Sequence, residues 1–186
     1  VKVYADIIRD TMVAELPECA DEMNANYDAF VEIVDEFDVA IQEAFDTIPE
    51  DQRKLVTYHD AYAYFADTYG WNVIGAVQPA DFGDPTPADV VNLIEQIEAE
   101  EVPAVFGSEV FPSPVLEQIA QETGAVYVDD LRDDDLPDAP GDENHSWLGL
   151  MKFNFITMTE ALGGDAGALV VFEVRNTVPD NAFYPQ

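Results

Sequence analysis

Apolar residues fall into two helical runs at the start of the chain and then into short alternating segments. Tyr4, Ile7, Ile8, Met12 and Leu16 recur at three- and four-residue steps, which predicts a helix over 3–16 that Pro17 breaks. From Glu18 to about Ile48, Met23, Tyr27, Phe30, Val34, Phe37, Ile41, Phe45 and Ile48 keep steps of three and four, so a second amphipathic helix is expected. At 1.5 Å per residue it would be roughly 45 Å long, more than a compact domain of this size requires.

After a turn at Pro49-Glu50-Asp51 the period changes. Strands are expected at 55–58, 72–77, 103–106 and 125–128, and helices at 61–69, 86–101, 114–123 and 146–162. Gly70 stops the first of these helices, and Ser146 caps the last. Thr86, Pro87 and Asp89 form a capping box with Asp in place of Glu or Gln. Strands alternating with helices of about ten residues imply parallel pairing through right-handed crossovers. The expected fold is therefore α/β, a parallel four-stranded sheet flanked by helices and preceded by a long linker helix. Ala168 to Val174 reads as a further strand, a candidate for the edge of the sheet.

Charge changes this picture most. The 186 residues carry 39 acidic and 7 basic side chains, a formal net charge of −32, beside a hydrophobic fraction of 48%. That apolar fraction separates the chain from a disordered acidic tail. The charge argues against nucleic acid or an anionic membrane as partner, and its even spread suggests a halophilic surface tuned to concentrated salt. Cys19 is the single cysteine, which excludes a disulfide framework and a thiolate cluster within the chain. No apolar run is long enough to span a membrane, and the first residues do not read as a signal peptide.

The residues from 129 to 145 include seven Asp and one Glu. EF-hand spacing, with its central Gly and terminal Glu, is missing, so this segment reads as a solvated acidic loop, with His145 exposed in it. Neither a G-x-S-x-G elbow nor a phosphate-binding loop is found. His59, one of two histidines, stands where a strand passes into a helix. Side chains at the carboxyl ends of parallel strands meet in the crevice where α/β sheets bind ligands. An imidazole and carboxylates on separate strand ends form a donor set that suits zinc or manganese. A satisfied surface or core histidine is the alternative.

Arg53 to Gly70, RKLVTYHDAYAYFADTYG, resembles the metal-ligating segment of the zinc- and manganese-type solute-binding proteins of ABC importers. Further words follow in that family's order. They are Pro85 to Asp89, Val105 to Glu109, Ala120 to Ala125, an aspartate after the next strand, and Met151-Lys152-Phe153-Asn154. The resemblance covers about residues 3–163. It implies a carrier rather than an enzyme, with His59 as the third metal ligand and Asp129 as the fourth. Asp130 is an alternative to Asp129 one residue on, and Glu109 would orient a ligand. Members with His in place of Glu at the third position tend toward zinc, so zinc is expected as the transported ion ahead of manganese.

The resemblance also implies boundaries and partners. Residues 1–48 would be a helical segment including a helix linking two lobes, 49–163 a C-terminal metal-binding lobe, and 164–186 an extension beyond the family pattern. The family's first two ligands are histidines, one in an N-terminal lobe and one just before the point where this sequence starts. The chain is thus expected to be a C-terminal half, located outside the cytoplasm at the cell surface and partnered by that lobe and an ABC permease. Its signal or lipid anchor would lie elsewhere, and this segment would not insert into a membrane. Two other readings stay open: a metal-dependent hydrolase using His59 with Glu109 or Asp129, and a helical interaction module built on 18–48.

Overall fold

The computed structural model describes residues 1–78, 85–109, 113–133 and 135–175. The expected loop after the second strand lies largely outside them, as does the tail beyond Arg175.

Helix α1, Lys2–Glu15, is followed by a 3-10 turn at Pro17–Cys19 and by α2, Ala20–Phe45. The long helix is real but shorter than its apolar period suggests, about 39 Å at 1.5 Å per residue. Its first residues are taken up by the turn that Pro17 opens, and its end by a turn at Thr47 and Ile48. The parallel sheet comprises β1 (Lys54–His59), β2 (Asn72–Gln78), β3 (Ala104–Ser108) and β4 (Val126–Leu131), in the order β2-β1-β3-β4. Between them run α3 (Ala63–Tyr69), α4 (Pro87–Ala99) and α5 (Pro114–Thr123).

Local chemistry explains the boundaries. Thr86 and Asp89 close the capping box of α4, and Ser113 accepts a hydrogen bond from the Leu116 N–H at the start of α5. Gly70 and Gly124 end α3 and α5 at φ of 69° and 77°, a conformation that a Cβ disfavours.

Two layers of helix cover the sheet. On one face Val56, Val77 and Val105 pack against Leu93, Ile97, Leu116 and Ile119 of α4 and α5. On the other, Leu55, Ala104, Phe106 and Val128 meet the second half of α2, α3 and α6 (Trp147–Ala161). Phe45 lies fully buried there, with Phe65, Tyr69, Trp71 and Phe155 around it at ring-centroid distances of 4.9–5.7 Å. α1 and the first half of α2 bury nothing: Val3, Tyr4, Ile7 and Ile8 are each more than half exposed.

The run Ala168 to Val174 is not an edge strand. Gly167–Val171 forms a short helix, α7, and the chain then extends over α2 and α6, away from either sheet edge. One helical turn buries Leu169 completely, and the Lys152 ammonium donates to the carbonyls of Val170 and Phe172 at 3.2 and 2.6 Å, capping that turn. Phe172 then packs against Phe37, the ring centroids 4.8 Å apart, Val174 is buried, and Arg175 pairs with Glu36. Packing here overrides the strand preference of a β-branched run.

Candidate metal centre

From β1 the chain crosses to β2 on one side, then returns past β1 to β3 on the other. The reversal leaves a crevice between the carboxyl ends of β1 and β3, the switch point at which open α/β sheets take ligands. His59 is the last residue of β1, half-buried, opposite Gln78 of β2. Its carbonyl accepts hydrogen bonds from the Thr57 hydroxyl at 2.7 Å and the Ala61 N–H at 3.0 Å, which fixes the strand-to-helix corner. Alternation along β1 puts the imidazole on the face of Leu55 and Thr57.

β4 carries a bulge. Phe106 pairs with Val128 and Ser108 with Leu131, so two steps on β3 oppose three on β4. Val128 and Leu131 both pack in the same core, and the extra residue leaves Asp129 and Asp130 exposed together opposite Gly107. Asp129 therefore stands inside the strand rather than just after it. Parity along the strand, which separates neighbours in a regular ladder, does not separate Asp129 from Asp130 here.

Glu109 follows β3, and its N–H donates to the Leu131 carbonyl at 3.1 Å. Both carboxylate oxygens are shielded from solvent and have no hydrogen-bond partner among the described residues. Burial pushes the carboxyl above the ordinary glutamate range; a backbone N–H and Arg132 pull it down, while Asp133 and Asp135 add to the rise. The Ser108 hydroxyl donates to Asp133 at 2.9 Å. Burial, and after it the charge on Asp133, push the Tyr62 hydroxyl up.

Tyr62, Ser108 and Asn154 stand within the family words, and Asp133 outside them, but the sequence assigns none of the four a role. Asn154 had a signal: it is an amide on the apolar face of α6, between Met151 and Met158, and 8% exposed. A buried amide requires partners. It finds them at Arg132, whose N–H donates to Oδ1 at 2.8 Å and whose carbonyl accepts from Nδ2 at 2.7 Å.

His145 is not exposed. The acidic loop folds on itself, with Asp142 N–H to the Ala139 carbonyl at 2.9 Å and the Asn144 amide to Asp138 at 3.1 Å. It closes over the imidazole, whose Nδ1 lies 2.9 Å from the Pro137 carbonyl, leaving the side chain 8% exposed. Among the described residues, no three or more His, Cys, Asp or Glu side chains converge as a set able to hold a metal ion.

The sheet order defines a parallel α/β unit with a crevice at its switch point, joined to a long helix. The family described as zinc-uptake complex component A, periplasmic (ZnuA), matches residues 1–161, and the chain belongs to it. It is 27% identical over 165 residues to the manganese-binding lipoprotein MntA of Halalkalibacterium halodurans, covering 87% of this chain and 54% of that protein. Against the zinc-binding protein TroA of Treponema pallidum it is 26% identical over 159 residues, 83% of this chain and 52% of the relative. The solved structure of the periplasmic zinc-binding protein TroA superposes with a TM-score of 0.75 at 25% identity, over 84% of this chain and 58% of that one. A manganese-bound periplasmic metal-binding protein from Candidatus Liberibacter asiaticus shares the fold, with a TM-score of 0.74 at 21% identity over 87% of this chain and 59% of the other. The chain spans about half the length of the curated relatives it matches.

Proposed function

We propose that this chain is the C-terminal half of a metal carrier that works outside the cytoplasm, holding zinc in preference to manganese for delivery to an ABC import permease. It is a binding protein and not an enzyme. His59 and Asp129 supply two of four ligands, with Asp130 the alternative carboxylate, and Glu109 orients one of them. The observation that carries this reading is the switch point: the imidazole stands at the crevice between β1 and β3, and the carboxylate bulge of β4 lies one strand further on. Strands two places apart are separated by about 10 Å. Side chains reaching toward each other, with two bonds of about 2 Å to a shared ion, cover that gap.

Relatives named as manganese-, iron- and zinc-binding proteins support a transition metal as cargo. The imidazole favours zinc, since carboxylate, carbonyl and water suit manganese better. The unburied apolar row on α1 supports an N-terminal lobe that would cover it and complete the ligand set. Residues 1–48 then hold the linker, 49–163 the metal-binding lobe and 164–186 an extension.

Calorimetric titration with zinc in molar salt tests the reading. Wild type is expected to bind weakly, with water completing the coordination. His59→Ala abolishes binding, and Asp129→Ala weakens it about tenfold or more without unfolding the lobe. Binding also weakens on acidification, because a protonated imidazole has no lone pair to donate. Undiminished affinity in His59→Ala would refute the assignment.

A further inference from the structure

We infer that Asn154 of α6 is a positioning residue for the carboxylate-bearing bulge of β4; the inference rests on the metal reading above. β4 is an edge strand, paired on its inner side with β3 alone. Its inner side is held past the bulge by the Ser108–Leu131 pairing and by the Glu109 N–H on the Leu131 carbonyl at 3.1 Å. A bulge spends a residue that the ladder does not hold, so the aim of Asp129 and Asp130 depends on what fixes the chain just beyond them.

Asn154 does so. Its carboxamide gives one donor and one acceptor to the backbone of a single residue, Arg132, at 2.7 and 2.8 Å. The pair reproduces the donor-acceptor exchange of a neighbouring strand, supplied by a helix side chain. The next side chain back on α6 adds to it, with the Arg132 guanidinium over the Phe153 ring at 5.1 Å. Arg132 is thereby clamped two residues after Asp130, and the bulge is pinned at its exit while its carboxylates stay exposed. Helix α6 thus sets where those carboxylates point, and a change in its seating is transmitted to them through one amide.

Zinc affinity followed by amide NMR titration in molar salt, on the full chain, separates this role from mere stability. Asn154→Ala is expected to lower zinc affinity about tenfold when both aspartates are present. In an Asp129→Ala/Asp130→Ala background it should lower it no further, because nothing remains for Asn154 to aim. Asn154→Asp keeps the acceptor for the Arg132 N–H and loses the donor, so an intermediate loss is expected; it also serves if the alanine variant does not fold. The same fold-loss in both backgrounds, or unchanged affinity in a folded Asn154 variant, would overturn the positioning role alone. Zinc binding that survives His59→Ala would overturn the metal reading, and this inference with it.

Discussion

A carboxyl shielded from water is costly to ionise, and Glu109 carries that cost beside the crevice, offset only in part by a backbone N–H and Arg132. Its folded-state affinity for a proton exceeds that of the unfolded chain, where a glutamate titrates near 4.3. Below that value both states are protonated and nothing is lost; as pH rises through the folded value, the native state loses stability relative to the unfolded one. Glu109→Gln is therefore expected to raise the melting midpoint at pH 8 in metal-free buffer, with the gain shrinking toward pH 5. A gain independent of pH would show that ionisation is not the cause.

The neighbours of Glu109 show what single residues disclose in a sequence. His59 could be placed because a β-branched run ends at it and a helix begins beyond it. Its crevice could not be placed, because the switch point depends on which side of β1 the third strand falls. Asp129 and Asp130 follow an apolar run, and a bulge in a ladder leaves no trace in that spacing. His145 misled for a related reason: local polarity gave no sign that the acidic loop closes over one ring.

Among the elements, α2 and the strap that follows α6 show how packing decides. The period of α2 was legible in full, yet only its second half, from Ile33 to Phe45, reaches the core. Hydrophobic spacing reports a face and says nothing of what covers it. Ala168 to Val174 reads as a strand in the sequence, whereas the contact with Phe37 and the Lys152 cap favour a turn of helix followed by extended chain. That strap lies beyond the family match at residue 161 and still contributes Leu169, with no exposed surface, to the common core. Leu169→Ala is expected to cost about 2–5 kcal/mol in equilibrium denaturation. Deletion of residues 165–186 should cost at least as much and expose Phe37 to solvent. A deletion that melts like wild type would make the strap a passive extension.

For the whole molecule, the question is how so acidic a chain stays folded. All seven cations are engaged internally. Lys2, Arg9, Arg53, Lys54 and Arg175 pair with carboxylates, Lys152 caps α7, and Arg132 lies over Phe153. The remaining excess, a net charge of −32, is balanced only by dissolved ions. Lowering salt from molar to millimolar should therefore lower the melting midpoint followed by circular dichroism, since unscreened carboxylates repel over longer distances. A midpoint that does not move would remove the halophilic reading.

The proposed metal site is tested most directly by zinc-edge X-ray absorption on the loaded chain in molar salt. One imidazole in an otherwise oxygen-donor shell is expected in wild type and in His145→Ala, whereas His59→Ala should retain no protein-bound zinc. Two imidazoles, or a spectrum unchanged by His59→Ala, would contradict a site built on His59 and the β4 carboxylates.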